Sequence, residues 1–333
     1  MISWLYIVVV VLVVVFVIVP VAVLLTTATP KTSAFANWVA PPTLVDEENT
    51  IALIVRVKNE PYVEEFVRYY VNEGISHIFI FDDMSTVHTE ELRRLSTSSL
   101  PVTVIQSPLG GPGSINDPPI VHDLYQHVIR PTFEWVINVD VDEFIAPRRT
   151  PNSTIRQELE TTFANVDCVC IPWVMMAFGG RAKNPASLLE ETTTRWKYDN
   201  RYAPTSSLEK YDSSSRYDFM EAKSIWRPSA YAQWKVHIPA SSRRADKKVS
   251  GVDAQPVRLK GSRMPTPRER DIATAHLLCY HFRVYSLEHA ASKIDGNRQH
   301  TYNRSTLQDV TSNDYSDVFD DTLRVRVQRV QSE

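Results

Sequence analysis

Glycine is scarce in this chain, with 9 among 333 residues, and cysteine is scarcer, with 3. So few glycines beside 21 prolines point to fixed turns instead of flexible linkers. Cys168, Cys170 and Cys279 are too few and too spread for a zinc site or a disulfide framework. In "DCVCIPW" the first two share a face if the segment is a strand, and one could bridge to Cys279 in an oxidising compartment. Buried free thiols are the equally good alternative. A basic excess is also missing: 36 Lys and Arg against 39 Asp and Glu leave a formal charge of −3. That argues against a dedicated nucleic-acid binder, which carries a positive face. Wholesale disorder is excluded by ordinary apolar and charged fractions, 43% and 23%.

Charge is absent altogether from "WLYIVVVVLVVVFVIVPVAVLL", Trp4 to Leu25, and the first charged side chain is Lys31. As a helix this run spans roughly 33 Å, enough to cross a bilayer. A signal peptide has a shorter apolar core behind a basic leader, and no Lys or Arg precedes this one, so an uncleaved anchor is the better reading. Lys31 alone gives the positive-inside rule almost nothing to count. Residues 1–25 are thus expected to form a transmembrane anchor and 26–49, rich in Thr, Pro and Ala, a stem. A folded domain over 50–300 and a polar tail over 301–333 complete the expected organisation. Sequons at Asn152 and Asn303 support a lumenal domain weakly.

The domain opens with a rhythm. "TIALIVRV" has strand length, and in the segment after it Val63, Phe66, Val67, Tyr70 and Val71 recur at helical spacing up to Gly74. "ISHIFIFDD", "TVHTEELRRLS", "PVTVIQSP", a helical stretch near "PIVHDLYQHVIRP", and "EWVINVDVDEF" continue it. Alternating strands and helices imply an α/β fold with a parallel sheet and flanking helices. Ligands of such sheets bind beyond the carboxyl ends of the strands. "KNE", "DDMS" and "DVDE" all fall at such ends. In the second half, "CVCIPWVMM" reads as a strand and "EAKSIWRP" with "AQWKVHIP" as a strand pair. "AHLLCYHFRVYS" reads as a strand and "LEHAASKIDGNR" as a helix, while the last thirty residues give no assignment.

Asp140, Asp142 and Glu143 repel one another and resist burial, so a cation is the natural compensation. On a strand Asp140 and Asp142 would share a face, roughly 6.5 Å apart. Mg²⁺ and Mn²⁺ take one or two carboxylates, with diphosphate and water completing the shell, which suits a metal–diphosphate substrate. A dehalogenase-type phosphatase would want Thr or Val two residues after the second Asp; Phe144 stands there. Glu143 either orients Asp142 or faces solvent. Glu60 could simply begin a helix, Asp82-Asp83 could form a turn, and Trp173 reads as core packing or, less readily, as a sugar platform.

With these residues assembled, the chain resembles glycosyltransferase family 92 and its family 2-like relatives. The resemblance rests on "VKNEPYVEEFVRYYVNEGISHIFIFDDMS", "WVINVDVDEFI", "WVMMAFGG", "KSIWRP" with "VHIP", and "HFRVYSLEHAASKIDG". It departs where relatives often have His-Tyr and this chain has His281-Phe282. The resemblance implies a GT-A fold, Rossmann-like, with a mixed, mostly parallel sheet. It implies inverting transfer of a sugar, galactose favoured, from a UDP-sugar to a glycan acceptor. It places Asn59, Glu60, Asp82, Asp83 and Asp140 at the donor, and Asp140, Asp142 and His281 at a metal, with Mn²⁺ preferred over Mg²⁺. With the anchor, it implies a single-pass type II protein of the Golgi membrane with its catalytic domain lumenal. An inverting transfer needs a base on the acceptor side. Glu190, Glu191, Asp218 and Glu221 lie in the right half, and Glu221 is taken as the base although no motif singles it out. A catalytically inactive glycan-binding domain and a nucleotidyltransferase are the alternatives.

Overall fold

The computed structural model describes residues 50–106, 118–198, 219–242, 247–297, 306–311 and 314–332. The expected anchor and stem, Asp218 and the Asn303 sequon lie outside the described residues. Among the described residues no helix is long and apolar enough to cross a membrane.

Strand β1, Ile51–Val57, is apolar save for Arg56 and almost wholly buried, as a strand covered on both faces must be. Helix α1, Val63–Asn72, buries Val63, Phe66, Val67 and Tyr70, and sets Glu64 and Glu65 at its positive end. Gly74 turns the chain out at φ +89°, where an added Cβ would lie 2.7 Å from the Arg156 Cβ. Strand β2 (His77–Asp82), helix α2 (Thr89–Thr97), strand β3 (Val102–Gln106), helix α3 (Pro119–Leu124) and strand β4 (Trp135–Asn138) repeat the rhythm. β1 pairs in parallel with β2 and β4, and β2 with β3. The carboxyl ends of these strands therefore open on one edge.

The later strands are β5 (Glu143–Pro147), β6 (Cys168–Ala177), β7 (Thr194–Arg195), β8 (Phe219–Trp226), β9 (Tyr231–Gln233), β10 (Ala240–Ser242), β11 (Lys248–Ser250), β12 (Arg263–Pro265), β13 (Leu277–His281) and β14 (Val318–Phe319). β8 runs antiparallel to both β4 and β6, while β13 joins β6 in parallel and β5 antiparallel. The main path reads β14-β7-β6-β8-β4-β1-β2-β3. The class is mixed α/β, parallel in its first half and mostly antiparallel in its second.

Three expectations need correction. β8 does not pair with β9: its flanks are taken by β4 and β6, and β9 pairs with β10. The "EWVINVDVDEF" strand is broken, since β4 stops at Asn138 and β5 starts at Glu143. Asp140 and Asp142 thus sit in a turn. That turn is closed on itself, with the Glu143 N–H donating to the Asp140 carbonyl and the Asp140 N–H to the Glu143 carboxylate, at 3.0 and 2.9 Å. Finally, the described end of the expected tail packs on the domain. β14 pairs with β7, and helix α5, Thr322–Ser332, buries Leu323 and Arg326. All three cysteines are buried and none is in a disulfide, so no bridge to Cys279 exists.

Candidate active site at the sheet edge

The turn after β4 presents its carboxylates beyond the sheet because Val139 and Val141, both buried, hold it to the core. Asp140 meets two cations. The Lys223 Nζ on β8 lies 2.9 Å from its Oδ2, and Arg56 on β1 lies 3.5 Å from its Oδ1. Lys223 also reaches Glu143 Oε2 at 3.0 Å, and neither Lys223 nor Glu143 has any exposed surface. Burial works to raise the Asp140 pKa, but Lys223 and Arg56 outweigh it and hold the group at about 2. Burial lowers the pKa of a lysine, yet Asp140 and Glu143 push Lys223 above its ordinary value. Glu143, expected at best to face solvent or orient Asp142, is instead the buried partner of Lys223. Its pKa rises to about 7, from burial first, with Lys223 opposing and Asp140 adding to it.

Asp142 belongs to a second group. The Lys293 Nζ, on helix α4 (Leu287–Asn297), lies 3.2 Å from its Oδ2, and His281 Nε2 lies 3.6 Å from its Oδ1. The Phe282 N–H donates to the Asp142 carbonyl at 2.7 Å, fixing the turn to the end of β13. Despite burial, Lys293 and His281 hold Asp142 well below the ordinary carboxylate range. Glu60 shares this field. Burial raises its pKa to about 7, with Lys293 opposing and Asp142 and Asp140 adding to the rise.

The other expected donor residues shape loops. Asn59 Oδ1 accepts from the Thr86 and Val87 N–H groups, at 2.7 and 3.0 Å, and Asp82 Oδ1 from Ser85 N–H at 2.9 Å. Asp83 pairs with Lys58 at 3.1 Å. Glu221 lies on β8 two residues from Lys223, and both its oxygens are occupied, one by the Ser262 hydroxyl at 2.5 Å and one by Arg263 Nε at 3.0 Å. Glu191 accepts from the Ala186 and Ser187 N–H groups.

Asp140, Asp142 and His281 do not converge as a metal trio. Among the described residues no group of three or more His, Cys, Asp or Glu is placed to hold an ion. The donor set suits an ion at Asp142 and His281, whose Oδ1 and Nε2 face each other, and not at Asp140, which Lys223 and Arg56 occupy. His281 Nδ1 is buried and unpartnered, without the outer acceptor that ordinarily orients a ligating imidazole. Trp173 is packed against His281, ring centroids 4.3 Å apart, with only 8% of its surface exposed. The Trp173 Nε1 and Glu143 Oε1 are likewise buried without partners. Buried polar groups ordinarily find a partner, so these atoms keep hydrogen-bonding capacity that the protein itself does not use. Sequence reasoning missed Arg56, Lys223 and Lys293 as partners of the carboxylates.

Carboxylates matched by internal cations beyond the strand ends of an α/β sheet make this edge the candidate site, and comparison with known proteins gives the family. Residues 124–323 match Glycosyltransferase family 92, and the chain belongs to this family. No curated protein matches it. Among solved structures, S. aureus TarS 1–349 is 21% identical, with 54% of this chain and 48% of that one covered and a TM-score of 0.30. The same protein in complex with UDP-GlcNAc gives 16% identity, coverage of 60% and 58%, and a TM-score of 0.30. In complex with UDP it gives 17%, coverage of 60% on each side, and 0.31. The chain thus spans about half to three-fifths of those chains.

Proposed function

We propose that this transferase has the GT-A arrangement and moves a hexosyl group, galactosyl by family resemblance, from a UDP-sugar to a glycan acceptor with inversion. The observation that carries this reading is the pairing of Asp142 with His281 and Lys293 just beyond the sheet edge. A donor diphosphate brings two negative charges, and Arg56 and Lys293 supply positive charge there without a substrate present. In the same reading Mn²⁺, or Mg²⁺ less readily, is held by Asp142 and His281. The ion, when bound, would offset charge on the departing diphosphate. Asn59, Asp82 and Asp83 set the loops against which the nucleoside would lie, and Glu60 faces the same space. Anchorage by residues 4–25 in the Golgi membrane, with the domain lumenal, completes the proposal.

The test uses the full chain in detergent with a panel of UDP-sugars, measuring nucleotide binding and UDP release with Mn²⁺, with EDTA, and in Asp142→Ala. Release from one donor, lost in both controls, is expected. A folded chain that binds no UDP-sugar would remove this reading and leave glycan binding alone. Release of diphosphate in place of UDP would point to nucleotidyl transfer.

A further inference from the structure

Glu221 is engaged on both oxygens, by the Ser262 hydroxyl and by Arg263. His237, on the loop between β9 and β10, is placed differently. Three hydrogen bonds tie this loop to the sheet. The Asn138 amide at the end of β4 donates to the Val236 carbonyl at 2.8 Å, and the Ser224 hydroxyl, next to Lys223, to the His237 carbonyl at 2.5 Å. The His237 ring itself bonds through Nδ1 to the Ala222 carbonyl at 3.1 Å. A carbonyl only accepts, so Nδ1 carries the proton and Nε2 keeps its lone pair. The ring is half-buried and its centroid lies 6.0 Å from that of Trp173, which is itself packed on His281 beside Asp142. A tautomer that leaves Nε2 an acceptor, on a loop bonded to the sheet beside the site, is what proton abstraction requires.

We propose that His237 is the general base of the transfer, an assignment that rests on the transferase reading above. The acceptor hydroxyl oxygen uses a lone pair to bond the anomeric carbon of the donor. The bond from that carbon to the diphosphate oxygen breaks, and its electron pair leaves with UDP. The acceptor's proton passes to His237 Nε2, making an imidazolium that later returns it to water. The products are glycoside, UDP and one proton. Burial and the nearby Lys223 hold the free ring's pKa below the ordinary histidine value, so it waits neutral; Glu221 and Asp140, the other charged groups acting on it, favour the imidazolium.

The test needs no known acceptor, because water can stand in for one. UDP release from UDP-galactose, UDP-glucose and UDP-GlcNAc is measured for the full chain in detergent and for His237→Asn, whose amide can still donate to the Ala222 carbonyl. UDP affinity is measured beside it by calorimetry. The expected result is release slowed about 100-fold or more with UDP affinity unchanged within about twofold. His237→Ala, slowed alike, should recover on adding imidazole. Unchanged release in His237→Asn overturns the assignment. So does a loss matched by equal loss of UDP affinity, or a His237→Ala variant that imidazole does not rescue, since either marks a structural role. If the unaltered chain binds no UDP, the transferase reading falls first and the base assignment with it.

Discussion

Two buried charge networks sit at opposite levels of completion in this molecule. Where the C-terminal segment meets the sheet, every charge is met. Asp320 accepts from Arg148, Arg195 and the Thr322 hydroxyl. Arg195 donates on to the Trp196 carbonyl and both oxygens of Glu269. Arg326 holds Glu73 together with the Pro151 and Ser153 carbonyls. At the sheet edge, by contrast, Lys223 binds Asp140 and Glu143 while Glu143 Oε1, Trp173 Nε1 and His281 Nδ1 are left unmet. A saturated network fastens chain segments. An unsaturated one keeps hydrogen-bonding capacity that water or a ligand's polar groups can meet.

The sharpest way to break this comparison is in the saturated network. Asp320→Ala takes the shared carboxylate from Arg148 and from the buried Arg195, which keeps Glu269 and the Trp196 carbonyl, and should cost roughly 3 kcal/mol of stability in urea unfolding. An unfolding free energy within experimental error of the parent would deny the network its fastening role. In the unsaturated network the effect should fall on chemistry. Asp142→Asn should slow UDP release about 100- to 1,000-fold, because it removes the carboxylate that would hold the ion offsetting charge on the departing diphosphate. Its stability should move by no more than about 1 kcal/mol, since Lys293 is partly exposed and keeps the Arg283 carbonyl.

A further buried group belongs to neither network. His77, hydrogen-bonded to the Thr103 hydroxyl at 2.8 Å, is held by burial at a pKa of about 4, below its ordinary 6.5. The unfolded chain takes up this proton as pH falls through about 6.5, and the native chain does so only near 4. Stability should therefore decline as pH drops across that window, by at most about 3 kcal/mol from this residue. Unfolding curves of His77→Asn between pH 7 and 4 should show a shallower slope; an unchanged slope would assign the acid loss elsewhere. The smallest expected effect is Trp173→Phe, which removes an unmet N–H with the five-membered half of the indole and keeps a six-membered aromatic ring. Stability should fall by no more than about 1 kcal/mol, the lost packing being offset in part by removal of the unmet N–H, while UDP-sugar affinity weakens roughly fivefold if that N–H serves a ligand. Equal affinity would make Trp173 packing alone.

The first half of the fold was legible because its signals are local. Apolar runs of strand length alternate with amphipathic stretches, and "KNE", "DDMS" and "DVDE" mark where strands reach the edge. The class of enzyme followed from those pieces in order. The partners were not legible. Lys223 lies 83 residues from Asp140, and Lys293 lies 151 from Asp142. A single lysine on a strand or helix carries no local mark of burial. The break between β4 and β5 was missed for a related reason. An apolar-acidic alternation reads as strand unless one knows that Glu143 turns back to cap the Asp140 amide. The same distance effect hid the role of the last residues, whose charges find partners on β7 and on the turn after β5.

The most direct test is hydrogen exchange of the full chain in detergent, with and without UDP-galactose and Mn²⁺. If the unsaturated network is the substrate site, peptides covering residues 135–147 and 277–293 should slow on binding, while those covering 193–198 and 314–326 stay as they were. Protection confined to the second pair, or to neither under conditions where the nucleotide sugar is shown to bind, would contradict the assignment of function to the sheet edge.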